Sequence, residues 1–249
     1  MDGAEPLLVL DQVFAGYGQM TILNGTCARV RRGSITTVIG PNGAGKSTMF
    51  KTVFGLLPVR SGTITLEGRD ITNVSPRRAL DAGAVYIPQG RNIFPELSVR
   101  HNLELGGTAL RDHTTLGSRM DAILKRFPML ADKANVQAST LSGGQQKILE
   151  VARGLLLDPI LVLIDEPSIG LSPLMVQEVF DILKTLRSNG VTILLIEQNA
   201  RQALQISDFG LVLEQGQTRI EDTAANILAD PRVAELFLGG GLAQAERVS

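Results

Sequence analysis

The sequence predicts an α/β fold: a mostly parallel, buried sheet carrying helices, with an antiparallel β subdomain and a small helical subdomain attached. Three observations predict it. Short β-branched runs alternate with helical patterns for most of the length, which is the pattern of βαβ units. A glycine-rich turn, Gly40-Pro41-Asn42-Gly43-Ala44-Gly45-Lys46-Ser47-Thr48, joins an apolar run to a helical one. Between about Ser98 and Val136 the strand patterns vanish and helical patterns with polar breaks replace them. A chain of 249 residues, 44% of them hydrophobic, can bury one large core without disulfides or metal clips.

In chain order, the first 35 residues and Thr63 to Arg69 read as short strands separated by Gly and Asn turns, the antiparallel part. Ile35 to Ile39 is the first core strand, and a helix begins near Lys46. Ala84 to Ile87, Ile160 to Ile164, Val191 to Ile196 and Phe209 to Leu213 are the further core strands. The helix after Pro173 shows Met175, Val179, Ile182 and Leu186 at i, i+4, i+7 and i+11, and Asn189-Gly190 supplies its stop. The expected organisation is one domain over residues 6–238 with the helical subdomain, 98–136, inserted in it, followed by a tail, 239–249, that opens at Gly239-Gly240-Gly241.

Composition removes several classes. With Lys+Arg 24 against Asp+Glu 25 and a net charge of -1, the chain has no electrostatic footprint for nucleic acid or anionic lipid. Cys27 has no partner for an internal disulfide, which agrees with a reducing compartment. Acids at Asp2 and Glu5 stand where a secretory signal would be basic. The longest apolar runs are strand-sized, whereas a spanning helix needs about 20 apolar residues, so a membrane role is expected to come through a partner.

Three motifs carry chemistry. Gly40 to Thr48 is a complete G-x-x-x-x-G-K-[ST] loop between a strand and a helix. Its backbone N–H groups and the helix N-terminus cradle phosphate, Lys46 reaches the β and γ oxygens, and Ser47 ligates Mg²⁺. Ile160 to Ile164 then ends in Asp165-Glu166. At the carboxyl end of a parallel strand, Asp165 would hold Mg²⁺ through water while Glu166 orients or deprotonates an attacking water. The third motif is Leu141-Ser142-Gly143-Gly144-Gln145, followed by Ile148, Val151, Ala152, Leu155 and Leu156 at helical spacing. Ser142 and Gln145 have the form of a capping box. A cap does not require two glycines, and Gly143-Gly144 beside a helix start make a second anion site. Two chains in head-to-tail register could place this site on a nucleotide already held by the other chain's phosphate loop.

With these motifs in this order, the chain resembles the ATP-binding subunit of ABC transporters over essentially its whole length. The resemblance implies an ABC ATPase: a P-loop NTPase (RecA-like) core that binds ATP and Mg²⁺ and closes as a dimer around two nucleotides. It implies that adenine stacks on Tyr17. It also implies that Gln89 touches Mg²⁺ and the attacking water and reports nucleotide state to the membrane subunit, and that Ser168 to Pro173 crosses the dimer interface. Two departures stand out: Gln198 replaces the usual histidine at the γ-phosphate, and Ser172 stands where many members have aspartate. His101 and His113 lie too far upstream to replace the missing histidine, and Gln198 can donate a hydrogen bond but carries no charge.

Glu197-Gln198-Asn199-Ala200, with Pro88 to Pro95 and Asp165 to Pro173, is similar to the LivF-type subunit of branched-chain (hydrophobic) amino-acid importers. That likeness implies a peripheral protein at the cytoplasmic face of the inner membrane. Its partners would be a second ATP-binding subunit in a homo- or heterodimer, transmembrane permease subunits and, indirectly, an external solute-binding protein. The segment Arg91 to Val99, with Ile93, Phe94 and Leu97, is the expected docking surface; the competing reading has Phe94 and Leu97 seating the helical subdomain on the core. Urea-importer and lipopolysaccharide-export ATPases are similar too. Soluble ribosome- or DNA-acting relatives fit less well, because the chain has one cassette and no long coiled coil between the phosphate loop and the signature.

Overall fold

The structure, a computed structural model, describes residues 5–233. The expected tail at 239–249 with Gly239 to Gly241, residues 234–238 of the expected domain, and residues 1–4 lie outside the described residues. The chain opens with β1 (Pro6–Tyr17) and β2 (Met20–Arg31), an antiparallel pair. Then come β3 (Ile35–Ile39), α1 (Lys46–Val53), β4 (Val59–Leu66), β5 (Arg69–Asp70), α2 (Pro76–Asp81) and β6 (Ala84–Ile87). The helical stretch follows as α3 (Val99–Gly106), α4 (Leu116–Arg126) and α5 (Pro128–Asp132), and leads into α6 (Gly143–Leu155). The remaining elements are β7 (Leu161–Asp165), α7 (Pro173–Ser188), β8 (Thr192–Ile196), α8 (Ala200–Gln205), β9 (Phe209–Glu214), β10 (Gln217–Thr223) and α9 (Ala224–Ala229).

Two sheets result. The antiparallel one runs β2-β1-β4-β5, and the larger runs β10-β9-β3-β8-β7-β6. In the larger sheet only the β9–β10 pairing is antiparallel. Every residue of β3, β7 and β8 is buried. Their side chains alternate between two cores: Val162, Ile164, Ile193 and Leu195 face α3, α6 and α7, while Leu161, Leu163, Leu194 and Ile196 face α1 and the antiparallel sheet. Continuous apolar runs, not alternating ones, are what a sheet covered on both faces demands.

The structure also differs from the expectations in places. The inward stripe of α7 is Val179, Phe180, Leu183 and Leu186, with Met175 and Ile182 only half-buried on its flank. The inward face is thus centred about one residue further along than the expected stripe. The strand expected at Ile160 starts at Leu161, since Ile160 N–H donates to the Gly83 carbonyl at 2.9 Å, outside the ladder. Helices α2, α8 and α9, six residues each, escaped sequence reading because none is long enough to show a period, and strand β10 because it is exposed and mostly polar.

The hairpin between β9 and β10 ties the two sheets to the loop at Gly40–Thr48. Gln215 and Gly216 both have positive φ, 49 and 74, as a two-residue turn between right-twisted strands requires. Gly216 N–H donates to the Ala44 carbonyl at 2.9 Å, and the Gly216 carbonyl accepts from Asn24 N–H at 2.9 Å and Thr26 Oγ1 at 2.6 Å. A Cβ at Gly216 would lie 1.8 Å from the Ile22 carbonyl oxygen. Gly216→Ala is therefore expected to lower the unfolding free energy by about 3 kcal/mol, strain and overpacking together, as read from urea denaturation. A cost below about 1 kcal/mol would show that the hairpin tip is not held there.

Candidate functional site

The parallel strands deliver four segments to one edge of the sheet. The Gly40–Thr48 loop follows β3, Gln89 lies just beyond β6, Asp165 and Glu166 end β7, and Glu197 and Gln198 follow β8. The carboxyl edge of an open parallel sheet is where α/β folds form ligand crevices. Gly45 is the N-cap of α1, with φ 103 and no side-chain cap, so no side chain competes for the N–H groups of the first turn. The Lys46 ammonium lies across the loop and donates to the carbonyls of Gly40 at 2.8 Å and Pro41 at 3.1 Å. Its burial holds its pKa below the ordinary lysine value, while Glu166 and Asp165 oppose that shift. Ser47 is half-buried at the mouth. Thr48 is buried on the inner face of α1, so its backbone N–H, not its hydroxyl, belongs to the loop.

Asp165 is 2% exposed. One of its oxygens, Oδ2, accepts from the Tyr86 hydroxyl at 3.2 Å, and Tyr86 is itself wedged against Phe50 and Phe54. The other, Oδ1, is buried with no partner. Burial raises the Asp165 pKa, while the hydroxyls of Ser47 and Tyr86 and the charges of Lys51 and Lys46 hold it down. Glu166 is likewise raised, first by burial and then by Asp165, with Lys46 opposing. Gln89 Nε2 donates to Glu166 Oε2 at 2.8 Å. Gln198 is exposed and lines a cavity of about 490 Å³ with Ser168 to Gly170, Asn199 and Arg201. Tyr17, at the end of β1, is 45% exposed, and the Lys51 ammonium of α1 lies 5.9 Å from its ring centre.

Ser142, Gly143, Gly144 and Gln145 stand apart: among the described residues no hydrogen bond joins them to the phosphate loop. They start α6 with a complete capping box. Ser142 Oγ accepts from Gln145 N–H at 3.3 Å, and Gln145 Oε1 accepts from Ser142 N–H at 3.2 Å and from Lys133 at 2.9 Å. A second reason for glycine emerges at Gly144, where a Cβ would lie 3.0 Å from Met175 Cβ. The pair thus serves the close approach of α6 and α7 as well as leaving N–H groups bare.

Sequence reasoning missed the polar side of α6. Lys147 and Glu150 are a buried ion pair at 2.5 Å, with side chains 7% and 3% exposed. Lys147 donates to the Gly90 carbonyl at 2.8 Å, Glu150 accepts from Asn92 N–H at 2.6 Å, and Arg153 donates to the Asn92 carbonyl. Three side chains at i, i+3 and i+6 therefore grip the backbone just past Gln89. The signal was charge inside an otherwise apolar stripe. Glu197, also 2% exposed, was missed as a functional group although a charged residue directly ending an apolar strand was in view.

The sequence model of the ABC transporter family matches residues 23–169. The chain is 39% identical over 234 residues to the high-affinity branched-chain amino acid transport ATP-binding protein BraG of Pseudomonas aeruginosa, a match covering 94% of this chain and 100% of that one. It is 38% identical over 226 residues to the probable branched-chain amino acid transport ATP-binding protein LivF of Archaeoglobus fulgidus, covering 90% and 95%. A solved ATP-binding cassette of an ABC transporter in its ADP conformation superposes with a TM-score of 0.84 at 29% identity, over 94% of this chain and 99% of that one.

Removing one half of a buried ion pair leaves an uncompensated charge. Lys147→Met is expected to cost about 3–5 kcal/mol in a denaturant titration. Adding Glu150→Gln should recover most of the loss, since a neutral amide oxygen still accepts from Asn92 N–H.

Proposed function

Since the chain belongs to the ABC transporter family, we propose that it is the ATP-binding and ATP-hydrolysing subunit energising an importer of branched-chain or other hydrophobic amino acids. The observation that carries the hydrolytic reading is the 2.8 Å contact of Gln89 with Glu166, beside the phosphate loop on the same sheet edge. The names of the two relatives support the solute class.

In this reading Gly40 to Thr48 wraps the phosphates, Lys46 exchanges the Gly40 and Pro41 carbonyls for phosphate oxygens, and adenine stacks on the open face of Tyr17. Ser47, Asp165 and Gln89 offer oxygen ligands for Mg²⁺. The fit rests on Asp165 Oδ1, a buried carboxylate oxygen with no hydrogen-bond partner, for which a hard divalent ion is the natural complement. Bound there, Mg²⁺ would neutralise charge on the transferring phosphoryl group. Glu166 takes the proton of the attacking water, and the burial that raises its pKa makes it the better base. Gln89 orients that carboxylate, and Gln198 donates an uncharged hydrogen bond to the phosphate.

The Ser142-Gly143-Gly144-Gln145 start of α6 then faces the nucleotide of a second ATP-binding subunit, its positive helix end meeting the γ-phosphate. No helix among the described residues is long and apolar enough to cross a membrane. Permease subunits would supply the crossing, with this chain at the cytoplasmic face and the external solute-binding protein reached only through them. Phe94 fits the permease contact: its ring is 47% exposed with the Arg153 guanidinium 5.2 Å from its centre. Its backbone is held separately, by buried Asn102 at both N–H, 2.8 Å, and carbonyl, 2.9 Å.

Glu166→Gln is expected to bind ATP and dimerise but release phosphate at least about 100-fold more slowly; near-normal release would overturn the assignment. Because Asn102 holds the Phe94 backbone, Phe94→Ala should cost about 1 kcal/mol or less of stability and leave ATP hydrolysis intact. In vesicles carrying the permeases, the same variant should lose leucine uptake. Unfolding of the variant would instead assign Phe94 to the core.

A further inference from the structure

The turn that carries Glu166 closes on itself through one long bond, from Ile169 N–H to the Glu166 carbonyl at 3.3 Å. Glu166 has φ 48, a left-handed conformation that costs a residue with a side chain about 1–2 kcal/mol and persists only where the surroundings enforce it. Pro167 follows and has no N–H to donate. The Glu166 N–H is spent on the Ile196 carbonyl at 2.9 Å, where the β7–β8 ladder ends with Asp165 opposite Ile196. The next donors belong to Ser168, and both go to one group: Ser168 N–H to Glu197 Oε1 at 2.9 Å and Ser168 Oγ to Glu197 Oε2 at 2.6 Å. Gln198 N–H adds a third bond to Oε2 at 3.2 Å. Glu197 forms no ion pair among the described residues. A carboxylate buried without a cation is costly unless its hydrogen bonds are made, and here all three come from the two loops that flank the site.

We propose that Glu197 is a positioning residue for Glu166: its carboxylate continues the β7–β8 pairing past the strand ends and holds the 166–168 turn and Gln198 in one frame. Ile196 anchors the near end of the turn and Glu197 the far end. Without the far anchor, Glu166 is free to leave its left-handed conformation and swing its carboxylate from the place where Gln89 meets it.

The inference rests on the reading of Glu166 as the residue that activates water, and the experiment separates the two. In Glu197→Gln, whichever way the amide turns, its NH₂ faces a backbone N–H, that of Ser168 or that of Gln198. Ser168→Ala removes one bond of the three. Steady-state phosphate release and ATP affinity are measured on the full chain, first for the unaltered protein and Glu166→Gln. If those two hydrolyse alike, the reading of Glu166 fails and the inference falls with it. If they differ, Glu197→Gln is expected to lower kcat about tenfold and Ser168→Ala about threefold, with the Kd for ATP within about twofold of the unaltered protein. The double variant should be no slower than Glu197→Gln, because both changes break the same staple. Unchanged kcat in Glu197→Gln, equal losses in kcat and ATP affinity, or losses that multiply in the double variant would overturn it. Should Glu197→Gln not fold, Ser168→Ala decides alone: a lowered kcat at unchanged Kd supports the staple, and unaltered kcat refutes it.

Discussion

Burial of the parallel sheet on both faces is the constraint on which the rest of the structure depends. Since β3, β7 and β8 bury every residue, no side chain along them can meet water, and polar chemistry is confined to the strand ends. One edge takes all of it. The chain leaves each strand directly into a segment of the candidate site: the glycine-rich loop after β3, an amide after β6, two carboxylates at the end of β7, and a carboxylate and an amide after β8. A fixed strand spacing of about 4.8 Å then places these groups as near neighbours, without any loop having to fold on its own account.

The same burial sets the electrostatics. Asp165, Glu166 and Glu197 are all raised in pKa first by loss of water, and Lys46, the ammonium that acts on both Asp165 and Glu166, is lowered by the same cause. Such a cluster survives because each carboxylate has been given donors or a place for a cation: Tyr86 for Asp165, Gln89 for Glu166, Ser168 and Gln198 for Glu197. Only one oxygen, Asp165 Oδ1, is left over. On the far side of the sheet α6 uses the opposite arrangement, an ion pair satisfied from within, to grip the backbone beyond Gln89. Helix α6, the glutamine segment and the Glu166 carboxylate are thereby parts of one connected unit.

Much of this was legible in the residues. The buried strands announced themselves as short β-branched or apolar runs, the glycine-rich loop by its glycines and lysine, and the α6 cap by Ser142 and Gln145, because each depends on neighbours in sequence. What was not legible depends on partners far along the chain. In the expected stripe of α7, Val179 and Leu186 are buried, but Phe180 and Leu183 take the inward places given to Met175 and Ile182. Gly144 was read as an anion site alone, since its neighbour Met175 is 31 positions later. Glu197 entered only as part of the Glu197 to Ala200 likeness, because the residue it meets, Ser168, lies on a different loop.

The Gly216 turn has a consequence for how the protein comes into being. The segments from Gly40 to Gln198 are all synthesised before β9 and β10, yet the Ala44 carbonyl accepts from the N–H of Gly216, and β3 has β9 as its outer neighbour. Closing contacts of this length is slow compared with local helix formation. The Gly40–Thr48 loop is thus translated early, yet its contact with the β9–β10 hairpin forms only once Gly216 has been made.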